Sequence, residues 1–141
     1  MKTDGLDIYH IILHCDFTNK IWNEMESILK EIHPIQVTIQ ERIFGIVQRK
    51  QETSISLRNW LTYLLREFIS KEERIAYHSS KKPCLQNFKQ KFNSTVHHEV
   101  NLKLWRYKNE NNISLFEIIT HKNTLCRKKD NEDFEIRNMF A

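Results

Sequence analysis

Glycine and proline are scarce in this chain of 141 residues, with only two of each. Sandwiches and barrels of β-strands need many tight turns, and tight turns depend on these two residue types. Gly5 and Gly45 lie far apart, so the chain also lacks the clustered glycines with which nucleotide-binding loops hold phosphate groups. Long helices need neither residue. The shortage therefore favours an all-α fold.

Apolar residues recur every three or four positions in three long segments, which is the spacing of one face of an α-helix. The first segment ends before Pro34, because a residue that precedes proline avoids the α conformation. Thr38 and Glu41 have the spacing of a capping box and predict a second, short helix. The three apolar stripes consist of Phe17, Ile21, Met25, Ile28, Leu29 and Ile32, then Leu57, Trp60, Leu61, Leu64, Leu65 and Phe68, and then Leu85, Phe88, Phe92, Val96 and Val100, followed by Leu104 or Trp105.

The second stripe belongs to the most strongly patterned helix, which we expect to begin at Ser54 or Ser56 and to reach about Tyr77. We expect the next helix over residues 85–108 and a short one over residues 114–121. The pattern thus predicts one domain, residues 1–121, of about four to five helices with a short extended segment at its N-terminus. Residues 122–141 are charged and predict a frayed, flexible tail. In the helix that carries the second stripe, the polar residues lie largely off that stripe: Arg58, Asn59, Arg66 and Glu67.

Catalytic side chains do not form a recognisable constellation in this sequence. Cys84 lies far along the chain from His97 and His98, and no motif orients a thiolate–imidazole pair. Adjacent carboxylates occur at Glu72 and Glu73, where the surroundings are too polar to raise a carboxyl pKa for acid catalysis. A polymerase or nuclease also needs acidic residues that hold metal ions. We therefore expect a chain that is not an enzyme by itself.

Basic residues are concentrated between Lys81 and Lys108, with Glu99 and Glu110 as the nearby acids, and the net charge of the whole chain is +4. On a helix, this composition predicts a basic side opposite the apolar stripe. Such a side suits weak, non-specific binding to phosphates of RNA or single-stranded DNA. An ordinary solvated helix surface remains the alternative. The residues that share the basic side best are Lys82, Lys89, Lys103 and Arg106.

Cysteine usage and hydropathy bear on the cellular compartment. The three cysteines are widely spaced, and the chain starts without the apolar stretch of a secretory signal. No run approaches the roughly 20 apolar residues of a membrane span. We expect an intracellular protein, cytoplasmic or nuclear, with reduced thiols and no membrane partner.

The segment from His10 to Trp22, which reads HIILHCDFTNKIW, has a motif-like arrangement of possible zinc ligands. His10 and Cys15 have the spacing H-x-x-x-x-C, followed by an aromatic residue, a lysine and a hydrophobic–Trp pair. This arrangement resembles the second half of the zinc-binding motif in reverse transcriptases of non-LTR (LINE-type) retrotransposons. A looser similarity to the helical tail of those proteins extends through residues 32–46 to about residue 107.

The resemblance implies a C-terminal, non-catalytic region that helps to hold the RNA template and target DNA beside polymerase and endonuclease domains. It also implies His10 and Cys15 as zinc ligands, but no Cys pair precedes them. A closed zinc site needs four ligands. We therefore expect no tightly held zinc unless ligands come from outside this chain. The alternative function is an autonomous helical module that binds another protein.

Overall fold

The computed structural model describes residues 16–80, 84–131 and 133–140. Within these ranges five α-helices dominate, which confirms the predicted all-α class; the extended N-terminal segment lies outside the described residues. No helix in the described ranges is long and apolar enough to cross a membrane. The helices are α1 (Asp16–Ile32), α2 (Ile39–Phe44), α3 (Thr53–Ser79), α4 (Leu85–Glu110) and α5 (Ile113–Ile119).

The ends of the helices are set by local side-chain and backbone chemistry. The Thr38 hydroxyl accepts a hydrogen bond of 3.1 Å from the Glu41 N–H and so caps α2. The other half of the expected capping box is absent, because the Glu41 carboxylate points elsewhere. Asn111 ends α4 in the left-handed conformation, and the side chain of Asn112 then caps α5 by accepting from the N–H of Leu115.

The core lies along α3, which packs against each of the other four helices. Most residues of the three predicted stripes are buried, whereas Phe17, Trp60, Leu64, Phe68 and Leu85 are partly buried. Trp22 and Ile69, which lie outside those stripes, belong to the same core. Phe68 and Phe88 meet edge-on at 5.2 Å between ring centroids, and Phe88 stacks on Phe92 at 5.6 Å. Burial of each such side chain contributes about 1.5–3 kcal/mol.

Arg58 is the exception to the predicted pattern. Its position in the sequence places it outside the apolar stripe of α3, but it is completely buried. Its Nε and Nη2 donate to the two carboxylate oxygens of Glu41 at 2.7 and 2.6 Å. Its Nη1 donates to backbone carbonyls at the end of α1 and in the turn that follows, those of Leu29, His33 and Ile35. Arg58 therefore satisfies polar groups that would otherwise be buried without partners.

The C-terminal segment contains a hairpin that the sequence analysis did not predict. After one turn of 3-10 helix (His121–Asn123), β1 (Cys126–Lys128) pairs antiparallel with β2 (Phe134–Ile136). Leu125 and Cys126 are almost completely buried, and Met139 is 7% exposed. The N–H of Met139 donates to the side chain of Asn93 on α4 at 3.1 Å. These contacts attach the predicted tail to the helical core.

Candidate functional site

The predicted zinc ligands His10 and Cys15 lie outside the described residues, so the zinc prediction stays a prediction. Within residues 16–80, 84–131 and 133–140, no group of three or more His, Cys, Asp or Glu side chains is placed to hold a metal ion. The other two cysteines are free thiols: Cys84 is exposed, and Cys126 is buried.

The residues considered for catalysis have structural neighbours. The His97 Nε2 lies 3.1 Å from the backbone carbonyl of Arg137 and must donate to it, since a carbonyl only accepts. His97 thereby holds the C-terminal segment to α4. Glu72 accepts a long ion-pair contact of 3.5 Å from Lys91. Cys84 lies at the N-terminal cap of α4, 13 positions before His97 in the chain.

The structure separates the cations of the predicted basic side. Lys82 lies outside the described residues. Lys89 reaches Glu24 of α1 at 3.3 Å and lies 5.8 Å from the centroid of the Phe140 ring. Lys103 instead lies over Trp60 of α3, with its Nζ 5.3 Å from the ring centroid. Lys89 thus flanks the edge of α4 nearest to α1, and Lys103 flanks the edge nearest to α3.

The spacing of the buried residues explains this separation. An α-helix turns by about 100° per residue, so a buried side chain every fourth position shifts the buried face by about 40° each time. Lys89 and Lys103 project from α4 in similar directions. Near Lys89 the buried face lies on one side of these lysines, and near Lys103 it lies on the other side. The buried residues of α4 follow this spacing along its whole length: Phe88, Phe92, Val96, Val100 and Leu104.

Lys103 and Arg106 are brought together near the C-terminal end of α4. The pKa of Lys103 is lowered, mainly by burial and then by the positive charge of Arg106, while Glu99 acts in the opposite direction. Arg106 also contacts Glu110 across one helical turn at 3.5 Å. We call Trp60, Lys103 and Arg106 the α4 cationic surface. It combines two neighbouring cations with an indole ring.

A second surface was missed by the sequence analysis. Phe44 ends α2 and is 76% exposed, and Val47, three residues later, is 86% exposed. Between them the side chain of Asn59 on α3 binds Ile46 twice: it accepts from the N–H at 2.7 Å and donates to the carbonyl at 2.8 Å. Gly45 makes this approach possible. Its φ is +80°, and a Cβ at this position would lie only 2.9 Å from the Asn59 Oδ1.

Arg66 lies beside this turn. Its Nη1 donates to the backbone carbonyl of Glu41 at 3.1 Å, and its Nη2 lies near Gly45. The pKa of Arg66 is lowered, because burial outweighs the opposing effects of Glu41, Glu67 and Tyr63. Tyr63 is 54% exposed. We call Phe44, Val47, Tyr63 and Arg66 the corner surface. The sequence feature that could have indicated this surface is Gly45, which ends α2 directly after Phe44.

A third candidate region, which is concave, lies between the end of α1 and the C-terminal segment. Its charged side chains form two ion pairs, Arg127 with Glu135 at 2.8 Å and Arg137 with Glu31, and a further cation, Lys122, lines the same region. The two charges within each ion pair largely neutralise each other. Lys122 therefore supplies the net charge that the region offers to a ligand.

Comparison with known proteins does not identify a relative: no family model, curated protein or solved structure matches this chain. What the domain binds must therefore be inferred from the chemistry of its own surfaces.

Proposed function

We propose that this chain is a non-catalytic helical domain that associates with nucleic acid, as its resemblance to the C-terminal region of retrotransposon reverse transcriptases implies. Any polymerase or endonuclease activity would then belong to other domains. The observation that carries the proposal is the placement of Lys103 and Arg106 three residues apart near the end of α4, with Lys103 over the ring of Trp60.

Two neighbouring cations repel each other, and an anion placed between them removes that repulsion. A phosphodiester backbone supplies such anions at regular spacing. The partly exposed indole ring of Trp60 lies under Lys103. Flat aromatic rings beside cations bind single strands, because every base has a face that can stack on them. We expect weak binding, with Kd in the range of about 10⁻⁴–10⁻⁶ M.

Fluorescence anisotropy with a labelled single-stranded RNA, measured over a salt series, tests this proposal. The double variant Lys103→Glu/Arg106→Glu should weaken binding on the order of tenfold, and affinity should fall steeply with salt because phosphate contacts release counterions. Lys71→Glu/Arg74→Glu is a matched control, since it makes the same change in charge at the same spacing on the exposed part of α3.

The control should bind more tightly than the α4 variant. No binding at low salt would contradict the proposal. Equal losses in the two double variants would mean that net charge, rather than the α4 cationic surface, determines binding.

The resemblance has its own test. If the chain derives from a retrotransposon, the genomic DNA upstream should encode a polymerase region and the missing Cys pair in the same reading frame. An isolated gene with its own promoter would contradict this origin and favour the autonomous protein-binding module. That second function is favoured in the structure by one observation, the exposed apolar side chains of the corner surface.

A further inference from the structure

The corner surface holds its exposed side chains in a fixed arrangement. Phe44 and Val47 project from a turn whose Ile46 is bound on both its N–H and its carbonyl by Asn59. The preceding helix α2 is fixed from beneath by the buried ion pair of Glu41 with Arg58. A backbone held in this way loses little conformational entropy when a partner covers the turn, which favours binding.

The apolar character of this surface is concentrated at its most exposed positions. Phe44 and Val47 are 76% and 86% exposed, and Ile39 at the start of α2 is 60% exposed. Single exposed apolar residues are common, but exposed apolar side chains that lie together on the surface mark an interaction site. All three come from nine consecutive residues that the structure describes, and two of them are branched aliphatic side chains.

The charges beside these residues are positive. Arg66 lies against Gly45, and exposed Arg49 and Lys50 directly follow the turn. The carboxylate of Glu41 is already bound on both oxygens by Arg58, and exposed Glu52 follows Lys50 by two positions. Glu67 remains as an opposing charge close to Arg66. A partner that covers the apolar residues would therefore gain from carboxylates at its edge.

The same charges argue against two other occupants. In a symmetric dimer the surface would face its own copy, so two surfaces with an excess of positive charge would meet. Nucleic acid could pair with these cations and stack on Phe44 or Tyr63, but it would leave the aliphatic side chain of Val47, the most exposed of the surface, without a matching partner. Of the three, an acidic protein segment suits both the aliphatic side chains and the cations.

We propose that the corner surface docks an acidic amphipathic segment of another protein, with apolar side chains of that segment covering Phe44 and Val47 and a carboxylate reaching Arg66. This inference is independent of nucleic-acid binding, because the two surfaces share no residue. A domain of this kind would connect nucleic acid on one side with a protein on another.

Titration of the ¹⁵N-labelled full chain with synthetic amphipathic peptides tests the docking. One peptide combines Leu and Phe with Glu, and two matched peptides carry Gln or Lys in place of Glu. The Glu peptide should bind most tightly and the Lys peptide most weakly, with the largest amide shifts at residues 44–47 and at Tyr63 and Arg66. Equal binding of the three peptides, or shifts elsewhere, would overturn the proposal.

Val47→Asp should weaken binding of the Glu peptide by about tenfold or more, as expected for a residue at the centre of an interface. Because Val47 is 86% exposed, this change should leave thermal unfolding unaltered. Ile113→Asp is the matched control, since it introduces the same charge at a residue that is 57% exposed on α5, away from the turn. Similar affinities for wild type and Val47→Asp would overturn the docking, as would concentration-dependent dimerisation that Val47→Asp abolishes. Shifts of residues 44–47 by single-stranded RNA instead of the Glu peptide would assign the surface to nucleic acid and overturn it too.

Discussion

Two arginine–glutamate ion pairs hold other parts of the chain to the end of α1, and they differ in their exposure to solvent. The side chains of Arg58 and Glu41 are 0% and 2% exposed, whereas those of Arg137 and Glu31 are 37% and 48% exposed. The first pair fixes α2 and the turn before it. The second connects α1 to the C-terminal segment.

This difference in burial changes what each pair contributes. A buried pair gains little net stability, since both charges lose their hydration, but removal of one partner leaves an unpaired charge inside the protein. An exposed pair is screened by water and contributes about 0–1 kcal/mol. The α2 region therefore depends on its ion pair. The C-terminal segment depends mainly on buried apolar contacts of Leu125, Cys126 and Met139.

The largest effect should come from Glu41→Ala. It leaves the Arg58 guanidinium buried without a counter-charge, and we expect the free energy of unfolding to fall by about 3–5 kcal/mol. Urea unfolding followed by circular dichroism measures it. The double variant Glu41→Ala/Arg58→Met should recover part of this loss, because the buried charge is gone. A loss below about 1 kcal/mol in the single variant would show that the pair behaves like an exposed one.

The next effect concerns the C-terminal segment. Burial raises the pKa of the Cys126 thiol to about 11. Near pH 8, the reactive thiolate should then be roughly 100-fold scarcer than in an ordinary thiol, because each pKa unit is a factor of ten. Alkylation followed by peptide mass spectrometry should therefore modify exposed Cys84 long before Cys126. Equal rates would show that the segment does not stay packed on the core.

Gly45→Ala should have an intermediate effect. The new methyl group would lie 2.9 Å from the Asn59 Oδ1, and a φ of +80° is unfavourable for alanine. We expect a loss of about 1–3 kcal/mol in the free energy of unfolding. Adding Asn59→Ala removes the close contact, so the cost of the double variant should be smaller than the sum of the two single costs. Strict additivity would mean that the clash is not the cause.

The smallest effect should come from the exposed pair. Hydrogen bonding to Arg137 lowers the pKa of Glu31. The stabilisation is therefore present above the usual pKa of a glutamate and is lost as the pH falls through the lowered pKa. Glu31→Gln should cost at most about 1 kcal/mol at neutral pH, and the difference from wild type should vanish in acid. Urea unfolding at several pH values checks this, and a cost as large as that of Glu41→Ala would remove the contrast between the pairs.

Much of the helical framework could be predicted because helix formation is largely local. The spacing of apolar residues placed α1, α3 and α4, and the observed bounds differ from the predicted ones only at the ends. Thr38 was predicted as a cap from its distance to Glu41 in the chain, and the hydrogen bond is present. The same pattern could not reveal that the Glu41 carboxylate turns to Arg58, because the two residues are 17 positions apart.

The candidate surfaces were harder to predict for the same reason. Lys89 and Lys103 point in similar directions on α4, but α1 flanks one and α3 flanks the other. The exposure of Phe44 and Val47 depends on Asn59, which holds the turn from another helix. The hairpin has strands of only three residues, too short to show an alternation of apolar and polar positions.

The sequence by itself determined the all-α class, the stripes that form the core and the main helix boundaries, since each follows from residues within a few positions of one another. Tertiary structure decided which cations lie together, that Arg58 is buried and that Phe44 and Val47 face solvent. These features depend on residues distant in the chain, whose meeting is set by the way the helices pack.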